Sequence, residues 1–290
     1  MDPTSSRAAS LLIENLMSSD RMPACAAASS ERKGEIVKPT KPLRTEISWS
    51  TTEKVVVRGH DLVNDLIGKV DLGDMAFLEL VGRLPSPNES ILFNAVAVTL
   101  VEHGLMPSAL ATRLTYLGAP ESVQGAVAAG LLGLGDRYVG SIEGAARELQ
   151  QAPAGDVREV ARAIVERYRA SRRAVPGIGH NIHKPVDPRA ERLFAIAAET
   201  GFNGRHVALM RAISEEGSRA FTMVLPVNAT GAIGAVLSEM GLRWEVCRGL
   251  GVMARAIGLV AHILEERERP LAEDFFLRAE AEATAWAKDD

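Results

Sequence analysis

Pro176-Gly177-Ile178-Gly179-His180-Asn181-Ile182-His183-Lys184-Pro185-Val186-Asp187-Pro188-Arg189-Ala190 is the stretch on which the reading of this chain turns. Before it, Val157, Val160, Ala161, Ile164, Val165 and Tyr168 recur at helical spacing across residues 156–173. After it, Asp187-Pro188 starts a helix that carries Arg189, with proline at the first helical position. Gly177-x-Gly179 therefore joins helix to helix. A dinucleotide loop would follow a strand, carry a third glycine and have an acidic residue at a set distance. That alternative fails, and the segment points to an all-α chain.

The flanking sequence agrees. Residues 1–45 mix Ser, Ala, Pro, Lys and Arg without periodicity and predict a flexible N-terminal arm. Order is expected from Ile47-Ser48-Trp49, with Lys54-Val55-Val56-Val57-Arg58 as a short strand ending at Gly59. Ser86-Pro87-Asn88-Glu89 combines a cap, a proline at the first helical position and the glutamate of a capping box. The helix it opens runs to His103 and stops at Gly104. Pro107 and Pro120 mark further starts, and helices follow near 188–201, 204–219, 230–240, 244–267 and 272–288. So many helix starts leave no room for a βαβ arrangement.

Composition narrows the function classes. Aromatics are only 4% of the 290 residues, which suits close-packed helices better than a sandwich of strands. A net charge of −4 without a basic stripe excludes nucleic acid as the expected partner. No apolar run approaches the roughly 18–20 residues of a membrane span, and no compact apolar signal segment opens the chain. Cys25 and Cys247 have no evident partner, so a reducing, cytoplasmic setting is expected.

His180 is the candidate proton-transfer group, because a ring titrating near pH 6.5 exchanges protons at cellular pH. Alone, a loop histidine is more often merely solvated; the glycines before it and the Asp-Pro-Arg after it favour a functional role. His183, three residues on, suggests a zinc pair, but no cysteine and only Asp187 stand nearby, so no metal site is expected. The main chain of Val175, Gly177, Ile178 and Gly179 is expected to be exposed. Arg172 and Arg173 are equally well read as solvated cations at a helix C-terminus. Asn228 is a natural N-cap for the helix after it, and His103 a last-turn histidine before the Gly104 cap. Arg189 and Arg255 would be, by themselves, a solvated first-turn cation and a helix surface charge.

A family resemblance adds to these readings. Gly-x-Gly-His followed by Asp-Pro-Arg resembles the citrate synthase superfamily. So do Arg58-Gly59-His60-Asp61 with Leu80-Val81-Gly82-Arg83-Leu84-Pro85, Val101-Glu102-His103-Gly104, Gly135-Asp136-Arg137-Tyr138-Val139-Gly140, and Arg255-Ala256-Ile257-Gly258. These matches keep one order across residues 45–270. The Gly-Asp-Arg version and the shortness of the chain resemble stand-alone citryl-CoA lyase and the lyase module of ATP-citrate lyase more than the longer citrate synthases.

The resemblance implies a large helical domain (46–140 and 228–290) and a small one (141–227). It implies cleavage of citryl-CoA to acetyl-CoA and oxaloacetate, with His180 as general base. His103, Arg189, Arg255 and Tyr138 would bind substrate. Coenzyme A, as acyl-CoA substrate, would lie against Arg172, Arg173, Val175, Gly177, Ile178 and Gly179. A homodimer is implied, and the small-residue-rich helix at 122–134 is read either as its interface or as an internal core helix. Two departures stand out: Tyr138 replaces the synthase's enol-stabilising histidine, and the family's acidic Asp is placed on Asn228, an amide that cannot transfer a proton. The alternatives are a condensing enzyme of the citrate synthase type and a non-catalytic paralogue that binds CoA and a dicarboxylate.

Overall fold

Strand-forming residues are confined to the start of the ordered chain. The structure, a computed structural model, describes residues 43–288; the expected arm lies outside the described residues except for its last three positions. Val55–Val57 (β2) pairs antiparallel with Ser48–Ser50 (β1), Ser48 opposite Val57. It also pairs with His60–Asp61 (β3), Val57 opposite His60. The valine run forms the expected strand because one of its faces is covered: Val57 packs with Leu66 and Leu78 in a small apolar cluster.

The rest is helical: α1 (Leu72–Val81), α2 (Pro87–Val101), α3 (Pro107–Gly118), α4 (Val123–Leu132), α5 (Gly140–Gln150), α6 (Val157–Ala170), α7 (Pro188–Glu199), α8 (Arg205–Ala220), α9 (Ala229–Glu239), α10 (Trp244–Glu268) and α11 (Ala272–Ala283). At α2 the capping box is formed. The Glu89 N–H donates to Ser86 Oγ at 3.4 Å, and the Ser86 N–H donates to Glu89 Oε2 at 2.8 Å. Arg83 grips the same carboxylate at 2.6 and 2.9 Å, and chiefly for that reason Glu89 is lowered to about 2. Helices α1 and α5 carry no such announcement: their N-cap residues, Asp71 and Val139, make no side-chain cap bond. They form because tertiary packing buries them.

Helix α9 is the axis of the molecule. Every residue from Gly231 to Ser238 is buried, so the helix is enclosed on all sides by α5, α7, α8, α10 and the flank of α2. Its small residues make that possible. A Cβ on Gly234 would lie 2.9 Å from the Ala146 main-chain nitrogen of α5. One apolar core runs through residues of both expected domains, joining Phe77, Leu92 and Val236 to Ile142, Leu193 and Leu209. Phe77 and Phe93 meet edge-on in it at 5.3 Å.

One expectation needs correcting. At 25 residues, with an 18-residue window of mean hydropathy 1.4, α10 is long and apolar enough to span a bilayer by length and composition. Its apolarity has a structural cause: Cys247, Leu250, Gly251, Ala254, Gly258, Leu259 and Ile263 are buried against α2, α3, α4 and α5.

Candidate active site

The N-terminus of α9 and the His180 turn meet across a short two-stranded bridge. Ile178 pairs with Val227. The Gly179 N–H donates to Pro226 O at 2.7 Å, and the Asn228 N–H donates to Gly177 O at 3.0 Å. Glycine is required here for close approach. A Cβ on Gly231 would fall 2.1 Å from Gly177 O, and Gly177 itself sits at φ +87° with Gly231 Cα only 2.7 Å from where its Cβ would be. This corrects the expectation of bare main chain over 175–179. Val175 and Gly177 are buried, and the bridge uses Gly177 O and the Gly179 N–H themselves, because these glycines face another backbone instead of solvent.

Asn228 proves to be architectural. Its Oδ1 accepts from the Gly231 N–H at 3.0 Å and the Thr230 hydroxyl at 2.6 Å, while its Nδ2 donates to Gly179 O at 2.8 Å. It caps α9 and ties the helix to the His180 turn. A second register places the family's acid on Thr230, the third residue of Asn228-Ala229-Thr230-Gly231, instead of on Asn228.

His180 is held by its own turn. Its Nδ1 accepts the N–H groups of Ile182 and His183 at 3.1 and 3.0 Å. The lone pair of a neutral ring is therefore engaged at Nδ1 and the proton resides on Nε2. Burial first, then the nearby His183 and Arg189, lower the ring below the ordinary imidazole range, with Asp187 opposing them. Arg189 Nη2 stands 3.3 Å from Nε2. Two donors facing each other leave a gap that an oxygen carrying negative charge would fill.

Asp187 orients that arginine. It is fully buried, with Oδ1 accepting from Arg189 N and Nε at 3.0 Å and Oδ2 from Arg189 Nη2 at 2.8 Å and Ala229 N at 3.1 Å. Burial alone would raise its pKa; the Arg189 and Ala229 donors outweigh it and hold the carboxyl below the usual range. Both members of the Asp-Pro-Arg motif are thus used: one anchors α7 to α9, the other is aimed at His180.

His180, Arg189 and Asn228 line a cavity of about 500 Å³ together with His103, Tyr138, Thr230, Arg255 and Arg137. The His103 and His180 rings lie stacked with centroids 6.4 Å apart. Arg255 is mostly enclosed, its side chain 12% exposed. Its Nη1 is buried without a hydrogen-bond partner, and burial lowers the guanidinium despite Glu102 at 3.6 Å. A buried N–H with no acceptor costs free energy unless a ligand supplies one. Arg137, in the π turn Gly135–Val139, was not singled out from the sequence, although the Gly-Asp-Arg motif contains it. Arg172, Arg173, Val175, Gly177 and Ile178 do not line this cavity; Gly179 does. Arg172 and Arg173 are exposed just beyond α6. Among the described residues no group of three or more His, Cys, Asp or Glu side chains could hold a metal ion.

Residues 74–273 match the family model described as citrate synthase, C-terminal domain. The chain belongs to the citrate synthase family. It is similar to the solved citryl-CoA lyase from Hydrogenobacter thermophilus, at 34% identity over 78% of this chain and 87% of that one, with a TM-score of 0.71. It shares its fold with the ATP citrate lyase of Methanothrix soehngenii, solved with citrate and coenzyme A: 24% identity, 92% of this chain, 47% of that one, TM-score 0.68. ATP-citrate synthase subunit 1 of Sordaria macrospora is 27% identical over 252 residues, 81% of this chain and 36% of its own length. The chain thus spans about a third of that curated relative. The expected placement in the citrate synthase superfamily and the all-α fold both hold, a small sheet being added to the helices.

Proposed function

We propose that this citrate synthase family member is a citryl-CoA lyase-like enzyme that cleaves citryl-CoA, or a close analogue, to acetyl-CoA and oxaloacetate. The observation that carries the reading is the convergence, in one cavity, of the His180–Arg189 pair and the unpartnered Nη1 of Arg255. The likeness to citryl-CoA lyase supports it.

In this reading His180 is a donor in place of a general base. A ring whose Nδ1 accepts two main-chain N–H groups presents an N–H, not a lone pair, to the cavity. It therefore acts as a donor. The substrate's tertiary alcohol oxygen sits beside both Nε2–H and Arg189 Nη2, and the two donors stabilise it as its proton passes to water, the carbon–carbon bond breaks and the acetyl-CoA enolate takes a proton back from water. The same oxygen becomes the ketone of oxaloacetate. Arg255 and His103 hold a carboxylate through charge-assisted hydrogen bonds. Coenzyme A approaches from the side of Gly179, its phosphates toward Arg172 and Arg173. The active species is a homodimer, with α4 contributing its outer face, where Leu132 is 87% exposed.

Thr230 favours a second reading, a non-catalytic relative that binds CoA and a dicarboxylate, since a threonine cannot serve as the acid–base group for the acetyl carbon. Incubation of the purified protein with citryl-CoA, followed by NADH-coupled assay of oxaloacetate and mass spectrometry of acetyl-CoA, separates the two. Equal amounts of both products are expected, with His180→Ala lowering turnover about 10²- to 10⁴-fold. Binding of citrate and CoA without turnover would replace the lyase reading with the second one.

A further inference from the structure

A buried hydrogen-bonded line leads to the cavity from the far side of α10. Arg113, on α3, is fully buried. Its Nη1 donates to Glu266 Oε2 at 2.6 Å and its Nη2 to Glu265, while Nε and Nη2 stand 3.1 and 2.9 Å from His262 Nδ1. A guanidinium offers only donors, so His262 Nδ1 is an acceptor and the ring's proton is on Nε2. That nitrogen donates to Glu102 Oε1 at 3.2 Å. The same oxygen accepts the N–H groups of His103 and Gly104, at 2.7 and 2.6 Å, and so fixes the main chain that carries His103 into the cavity.

Glu102 also faces Arg255, with Oε1 3.6 Å from Nη1. The separation is too long for a hydrogen bond but close enough for charge attraction. His262 and the two N–H groups hold the carboxylate at that distance. They engage Oε1, and Arg255 Nη1 is left buried without a hydrogen-bond partner. Gly258 serves the same arrangement: a Cβ there would lie 2.1 Å from Val101 O and 2.7 Å from Glu102 Oε2, pushing the carboxylate out of place.

We propose that Arg113, His262 and Glu102 form a positioning line that sets His103 and Arg255 at the spacing needed to receive a carboxylate of the substrate. The line rests on the functional reading above only for the identity of that ligand. Removing the His262 donor frees Glu102 to turn onto Arg255 and close the N–H that the carboxylate would use. The buried Glu266 balances the Arg113 charge, with Glu265 reaching it from the surface, so the line does not depend on ligand for its own stability.

The test titrates oxaloacetate and, separately, CoA into wild type, His262→Leu and His262→Gln, with melting temperatures alongside. Glutamine keeps an acceptor toward Arg113 and a donor toward Glu102; leucine keeps neither. Oxaloacetate affinity is expected to fall about ten- to a hundredfold in His262→Leu, with CoA affinity unchanged, and to recover in His262→Gln. A folded His262→Leu that binds oxaloacetate like wild type overturns the line. So does an equal loss of both ligands in both variants, which would mark a purely structural histidine. Nitrogen NMR of ¹⁵N-histidine-labelled wild type reads the line without any ligand. A protonated Nε2 beside an unprotonated Nδ1 at His262 is required, and a ring protonated at Nδ1 overturns the proposal even if His262→Leu fails to fold. If wild type binds neither oxaloacetate nor CoA, the proposed function fails, and the NMR result alone decides the line.

Discussion

Asn228 and Thr230 divide between them what one family position seemed to require. Asn228→Asp turns the Nδ2–H that meets Gly179 O at 2.8 Å into a second acceptor. Loss of about 1–3 kcal/mol is expected in urea denaturation, with no gain in citryl-CoA cleavage. Thr230→Asp instead places a carboxylate among the cavity residues, and is expected to raise cleavage. A gain at 228 and none at 230 would reverse the register. His180 makes a prediction in pH. Its ring is lowered, so the neutral form persists below the ordinary value of about 6.5, and kcat/KM should stay level down to that pH and fall only beneath it. The sign for stability is the same: the folded protein resists protonating this ring, so the contribution is intact above the unfolded pKa and lost on acidification. A pH–rate midpoint at or above the ordinary imidazole value would contradict the burial of the ring.

Among the elements, α9 and the bridge to its N-terminus decide whether the site exists. Gly231→Ala forces a methyl group to within 2.1 Å of Gly177 O. The two backbones must part, and a loss of about 1–3 kcal/mol is expected by thermal or chemical denaturation. Because Gly179 and His180 ride on the same bridge, turnover should drop further than stability alone explains. A variant as stable and active as wild type would show that the strands need not touch. Periodicity in the sequence placed most helices within a residue or two, since α6, α7 and α8 each bury one face and expose the other. Helices α1 and α5 were not visible as starts because their first residues bear no cap. The buried α9 has no amphipathic stripe to betray which of its faces meets which neighbour.

At the scale of the whole molecule, the expected division into 46–140 with 228–290 and 141–227 is a proposal about motion. If the two parts close over ligand, citrate and CoA together should raise the melting temperature by more than the sum of their separate effects. Each ligand present at a hundredfold its Kd contributes about 2.7 kcal/mol on its own. Strict additivity would argue against closure.

Local signals in the chain were sufficient for the all-α class, the capping box at Ser86 and the Asp-Pro start of α7, and the family resemblance grouped His180, Arg189 and Arg255, which line one cavity. All of these depend on residues near one another in sequence or on motifs kept in order. Other matters depended on residues far apart in the chain. Examples are the burial of the Gly177–Gly179 backbone against residues 226–231, the isolation of Arg255 Nη1, and the line from Arg113 to Glu102. Hydrogen-bond partners and enclosure are properties of packing, and a one-dimensional pattern carries no record of which distant atom fills a given direction.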